Sequence, residues 1–196
     1  MNKTTIILIS IIAVIAIIIL SGISKYNGLV GLEEDVNSQW ANVENQYQRR
    51  ADLIPNLVAT VKGYATHESE TLENVVAARA KATQITIDPA TLTPEKLQEF
   101  QAAQGQLSSA LGKLLMITEN YPDLKANQNF MELQVQLEGT ENRISTERTR
   151  FNEVAKKFNA VIRKFPANII SSMFGFEKKP YFEVEKGSAV APEVKF

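Results

Sequence analysis

Beyond Tyr26 the apolar residues fall at helical spacing. Leu29, Val36, Val43 and Leu57 recur at seven or a multiple of seven, and Trp40, Tyr47, Ile54 and Val61 form a second line four residues behind that register. A stripe with this period marks one buried face of a helix. It passes through Pro55 without losing phase, so the missing backbone donor there predicts a kink and not a domain boundary. It continues less cleanly through Tyr64, Leu72, Val75 and Arg79, with Gly63, or Thr66 as an N-cap, breaking it into a second helix. The linker Ile87-Asp88-Pro89-Ala90-Thr91-Leu92-Thr93-Pro94 follows, and its Thr93 and Pro94 suit the N-cap and first position of a helix bearing Leu97, Phe100, Leu107, Leu111 and Leu114. Tyr121-Pro122-Asp123 is a turn, and Asn129 with Glu132 resembles a capping box. The last helix is the most regular: Phe130, Leu137, Ile144, Phe151, Phe158 and Phe165 recur every seven residues until Pro166 ends it. Sustained heptads mean a long helix packed lengthwise on others.

Ahead of this pattern, Thr4 to Ser24 carries no charge and is mostly Ile, Val, Leu and Ala. At about 1.5 Å per residue such a run crosses a hydrocarbon core of roughly 30 Å. It is apolar all round, unlike a buried core helix. It is also long for a cleaved leader and has no Ala-x-Ala after it. Leu20-Ser21-Gly22-Ile23 has the form of a lipoprotein cleavage box, but Ile23 stands where the lipidated Cys is required. The run therefore reads as an uncleaved, single-pass anchor. Lys3 and the amino terminus before it, against Lys25 after it, favour a cytoplasmic N-terminus and a bundle on the exported (periplasmic) side of the cell membrane. The chain as a whole reads as all-α: a transmembrane anchor over 1–25, a long antiparallel bundle of three to four helices over 26–165, and an irregular aromatic C-terminal tail over 166–196.

Charge and composition narrow the function. The net charge is −1 with both signs spread along the chain, which leaves no basic footprint for nucleic acid. Without Cys there is no disulfide, thiol nucleophile or thiolate metal site. His67 is the only histidine, and no His-x-x-x-His or Glu-x-x-His pair exists. Phosphate-loop, dinucleotide and nucleophile-elbow motifs are absent from the sequence. These readings point to no enzyme, no metal and no cofactor.

The informative polar residues interrupt the apolar seam. Arg50 stands where the Leu29, Val36, Val43 line predicts an aliphatic residue, with Arg49 and Asp52 beside it. Thr140 and Glu147 interrupt the last helix three residues after Leu137 and Ile144, near Glu138 and Glu141. A buried charge needs a partner, because burying it alone costs several kcal/mol. If the first long helix runs antiparallel to the last, with Tyr26 against Phe165, then Arg50 meets Glu141, with Glu138 one turn away. Such a pair fixes register more than it adds stability. The other reading of the break is a polar groove for a ligand or peptide. Phe174, Phe176, Tyr181 and Phe182 in the tail form a candidate interface, which with the heptads predicts a homo-oligomer. The competing expectation is a tail folded back on its own bundle. Pro55, Pro94, Pro122 and Pro166 mark the kink and the turns.

Several stretches resemble the LemA family of bacterial membrane proteins. They are Tyr26-Asn27-Gly28-Leu29-Val30, Val36 with Trp40, and Gln48-Arg49-Arg50-Ala51-Asp52-Leu53-Ile54-Pro55-Asn56-Leu57-Val58. Val61-Lys62-Gly63-Tyr64-Ala65 with His67-Glu68, Ala78-Arg79-Ala80 and Tyr121-Pro122-Asp123-Leu124-Lys125-Ala126 also match. So do Leu137-Glu138-Gly139-Thr140-Glu141-Asn142-Arg143-Ile144, Phe174-Gly175-Phe176 and Pro180-Tyr181-Phe182. The resemblance covers almost the whole chain after the anchor. It implies a membrane-anchored long-helix bundle with no established enzymatic activity, and a non-enzymatic scaffold or accessory role in the cell envelope. It also implies the alternative of a binding module that presents its tail or polar seam to an envelope partner such as a membrane zinc peptidase. Some relatives carry a lipoprotein Cys after the Ser-Gly pair, an option that Ile23 removes here.

Overall fold

Helix α1 (Lys3–Lys62) runs unbroken for 60 residues, so that the anchor and the first bundle helix are one rod about 90 Å long. In the computed structural model, which describes residues 2–65 and 67–183, there follow α2 (Ser69–Gln84), a 3-10 turn (Pro89–Thr91), α3 (Pro94–Thr118), the short α4 (Pro122–Lys125), α5 (Gln128–Val161) and α6 (Ala167–Phe174). No strand occurs among the described residues. Thr66 and the part of the tail from 184 to 196 lie outside them.

The apolar start of α1 touches almost nothing. Its large side chains from Ile6 to Ile23 stand exposed, and the helix is long and apolar enough to cross a membrane. Burial begins at Leu29 and then follows both predicted lines through Val36, Trp40, Val43, Tyr47, Ile54, Leu57 and Val61. Pro55 lies on the exposed side and α1 is continuous through it; the Ala51 carbonyl that its missing N–H leaves free accepts from Arg79 of α2 instead.

Local chemistry sets the other boundaries. Thr93 caps α3 by accepting from the Lys96 amide at 3.3 Å, and Pro94 occupies the first turn. The Glu95 carboxyl in that turn is held below the usual range, first by its own backbone amide and then by the Thr93 hydroxyl. Helix α5 is capped by Asn127, whose Oδ1 accepts from the Phe130 amide at 3.0 Å, and not by Asn129, which lies inside the helix. The phenol of Tyr121 donates to Glu68 at 3.0 Å and ties the turn before α4 to the loop after α1; that bond pushes the phenol pKa up.

Helix α5 packs along α1, and the hairpin of α2 and α3 covers α1 beside it. The core falls into two clusters. The membrane-proximal one joins Leu29 to Tyr47 of α1 with Leu97 and Phe100 of α3 and Ile144, Phe151 and Phe158 of α5. The distal one joins Ile54, Leu57 and Val61 with Leu72 and Val75 of α2, Leu107 to Leu114 of α3, and Phe130 and Leu137 of α5.

The end of the chain departs from expectation in two ways, and at Phe176 and Phe182 it takes the competing course of a tail folded back on its own bundle. Helix α5 stops at Val161, before Pro166, and Phe165 is left 81% exposed although it continues the heptad line. Proline disfavours helical backbone in the residue before it, so the turn unwinds early. The predicted irregular tail begins as a helix, α6, closed at Gly175 (φ 75°) with the Phe176 amide bonded to the Ser171 carbonyl at 3.0 Å. A left-handed cap of this kind favours glycine. Phe182 is buried and Phe176 half-buried against the bundle, so both are part of its core surface and not a free interface.

Burial rather than heptad position should govern the cost of losing an aromatic ring from α5. Phe151→Ala is expected to lower stability in detergent by about 3–5 kcal/mol. Phe165→Ala, on the same seven-residue line, should change it by less than about 0.5 kcal/mol. Denaturant unfolding of both variants checks this.

Candidate functional site

A polar layer separates the two apolar clusters. Each long helix around it interrupts its own stripe at that level: Arg50 lies between Tyr47 and Ile54 on α1, Gln104 between Phe100 and Leu107 on α3, and Thr140 and Glu141 between Leu137 and Ile144 on α5. Arg50 is 1% exposed. One terminal nitrogen donates to Ser108 Oγ at 2.8 Å and to Glu141 Oε1 at 2.5 Å; the other donates to Gln104 Oε1 at 2.6 Å. The Gln104 amide nitrogen donates onward to the Ala82 carbonyl of α2 at 3.3 Å, which closes the layer across four helices. The guanidinium lies 5.2 Å from the Tyr47 ring centre. Arg79 adds a bond from α2 to the Ala51 carbonyl of α1 at 2.7 Å.

The other predicted seam residues divide. Thr140 is buried and donates to the Gln136 carbonyl, and Glu147 accepts from Gln39 of α1 at 2.6 Å. Arg49, Asp52 and Glu138 are exposed and do not belong to the seam. Arg49 and Asp52 are one and two residues from Arg50, which turns them about 100° and 200° away. Asp52 accepts from Gln48, and Glu138 from Gln134, on the outer faces of their helices. His67 is exposed, and no cluster of three or more His, Cys, Asp or Glu side chains suited to a metal exists among the described residues.

Sequence reasoning missed the second polar device, which holds the tail. Asn159 of α5 accepts from the Lys179 amide and donates to the Lys179 carbonyl, both at 2.8 Å. Asn152 makes the same pair of bonds to Phe182, at 2.8 and 3.0 Å. Seven helical residues rise about 10.5 Å, and three extended residues span about 9–10 Å. The two amides therefore match the two backbone sites in step. The buried Lys179 side chain pairs with Glu33 of α1 at 2.7 Å. Phe182 stacks on Trp40 with ring centres 5.8 Å apart and planes 7° from parallel. Glu183 ends the described tail, its carbonyl accepting from Arg148 of α5 and Gln101 of α3. Gln101 and Arg148 also line a cavity of 80 Å³ over Arg50 and Glu141, so the tail lies in a groove between α3 and α5 that leads to the polar layer. The legible signal was the spacing itself: Asn152 and Asn159 each follow a core Phe, while Phe176, Lys179 and Phe182 repeat every three residues.

The fold and this groove define an anchored helical bundle closed by its own C-terminal segment. A model of the LemA family matches residues 39–196, and the chain belongs to that family. It is 26% identical over 201 residues to magnetosome protein MamQ 2 of Paramagnetospirillum magneticum, covering 94% of this chain and 73% of that protein. It is 26% identical to magnetosome protein MamQ of Magnetospirillum gryphiswaldense, over 86% of this chain and 68% of the relative. Protein LemA of Metamycoplasma hominis is 22% identical over 84% of this chain and 71% of its own length.

The layer predicts which second substitution rescues Arg50→Leu. The Glu141 side chain is 44% exposed, so removing Arg50 leaves a hydrated carboxylate. The loss falls instead on the buried Gln104 amide, about 1–3 kcal/mol for an orphaned group. Gln104→Leu added to Arg50→Leu should restore part of the lost stability, since the Ala82 carbonyl then loses its donor, and Glu141→Gln should restore little. Denaturant unfolding of the four chains reads the difference.

Proposed function

We propose that this LemA-family protein is a non-enzymatic scaffold or accessory protein of the bacterial envelope that stands on the membrane and self-associates there. The observation that supports a scaffolding role is how the buried cations are used: Arg50 and Lys179 are both paired within the bundle, holding helices and tail in place. Self-association draws support from apolar side chains left exposed on the distal half, Met116 and Met131, Val76 and Val135. The bundle lies on the exported side, with Lys3 and the amino terminus retained in the cytoplasm. Arg163 and Lys164, which the fold returns toward the anchor, are too far along the chain to count in its insertion.

A second reading rests on the asparagine clamp. Asn152 and Asn159 bond only backbone groups, so the groove suits an extended segment of another protein as well as the tail. In that case an envelope partner such as a membrane zinc peptidase enters the groove by displacing the tail. Sizing by light scattering in detergent separates the readings. Self-association gives multiples of the protomer mass that grow with concentration. A monomer at every concentration contradicts it, and co-purification of a second protein with that monomer favours the partner module. A periplasm-dependent reporter fused after Phe196 should be active; a stable but silent fusion reverses the orientation.

A further inference from the structure

Helix α6 has two faces. Ala167 and Ser171 turn inward, and Ile170 lies over Gly22 of α1, where an added Cβ would meet its Cδ1 at 3.9 Å. Phe174 packs on Tyr26 with ring centres 4.7 Å apart. The other face shows water Phe165 ahead of the helix and then Ile169 and Met173, each four residues on, with Phe174 itself 58% exposed. Single exposed apolar residues need no explanation, but a contiguous set along one helical face does.

The height of α6 supplies that explanation. Gly22 lies within the uncharged run Thr4 to Ser24, about 3 Å short of its end at the helical rise. A helix touching Gly22 and Tyr26 therefore lies where α1 leaves the bilayer. The exposed charges around it are Lys25, Arg163, Lys164 and Lys178, against Glu177. An apolar face carrying Phe, flanked by Lys and Arg, is the composition of a segment that lies in a lipid headgroup layer.

We propose that α6, with Phe165, is a second membrane contact: an interfacial foot whose Phe165, Ile169, Met173 and Phe174 enter the leaflet from which α1 emerges, while the adjacent cations face lipid phosphates. A single spanning helix leaves the bundle free to swivel, and a foot beside it fixes the tilt. The proposal rests on the reading of α1 as a spanning anchor.

The chain has no cysteine, so single labelling sites are available at once. Ile12→Cys, Met173→Cys and Met116→Cys chains, each carrying an environment-sensitive fluorophore, are placed in phosphatidylcholine–phosphatidylglycerol vesicles with or without acyl-brominated lipid. The label at position 173 should emit to the blue of that at 116 and lose most of its emission to bromines placed high on the acyl chain. The label at 12 should be quenched by deep bromines, and that at 116 by neither. If position 12 is quenched while 173 behaves like 116, the foot is overturned and the anchor stands. A blue-shifted label at 173 that bromines do not quench is packed on protein, and also overturns the foot. An unquenched label at 12 overturns the anchor and the foot together.

Discussion

The antiparallel seating of α1 on α5 is the contact on which the other elements depend, and its register is set where Arg50 meets Glu141. Apolar heptads alone specify that register weakly, because a helix with Phe or Ile every seventh residue offers much the same surface one heptad along. The same alignment that joins Arg50 to Glu141 places Trp40 against Phe151, ten residues along each helix, with ring centres 5.7 Å apart. A slip by one heptad would set the guanidinium against Gln134 or Arg148 in place of Glu141 and strand a buried charge. The polar layer thus selects one arrangement among several that the hydrophobic clusters would accept.

That register also makes the groove. With α1 and α5 fixed, α3 meets α5 at the layer through Arg50, Gln104 and Ser108, and nearer the membrane the tail lies between them. Phe182 completes the aromatic group around Trp40 that Phe100 and Phe151 begin. An extended segment has unpaired backbone groups on both sides, and burying them needs partners. Asn152 and Asn159 supply a donor and an acceptor each, as a neighbouring strand would. The buried Arg50, Gln104, Asn159 and Lys179 therefore hold chain segments in place.

The helices were legible because a 3.6-residue period repeated over many turns carries one message, and the stripe residues from Leu29 to Phe158 are buried where it places them, except the exposed Tyr64 and the half-buried Arg79. Arg50 was legible as a violation of that period, and its partner followed from aligning the helix ends. The tail was harder to read, because Phe176, Lys179 and Phe182 repeat every three residues over only three positions across Pro180, too short a run to say which partners on α5 they meet. Phe165 misled because it keeps the heptad spacing although α5 has already ended at Val161, ahead of Pro166. Arg49 and Asp52 looked like part of the seam by nearness in sequence, but a helix turns adjacent residues to different faces; Glu138 was named for lying one turn from Glu141, yet it is exposed and accepts from Gln134.

The central claim is that the C-terminal segment is a structural member of the bundle, held by its backbone. Amide hydrogen exchange of the full chain in detergent tests it most directly at Lys179 and Phe182, which lie outside any helix yet donate to Asn159 and Asn152. Both amides should exchange as slowly as those of α5 around Phe151, and far faster in the Asn152→Ala, Asn159→Ala chain. Rapid exchange at both positions in the unaltered protein would contradict the account.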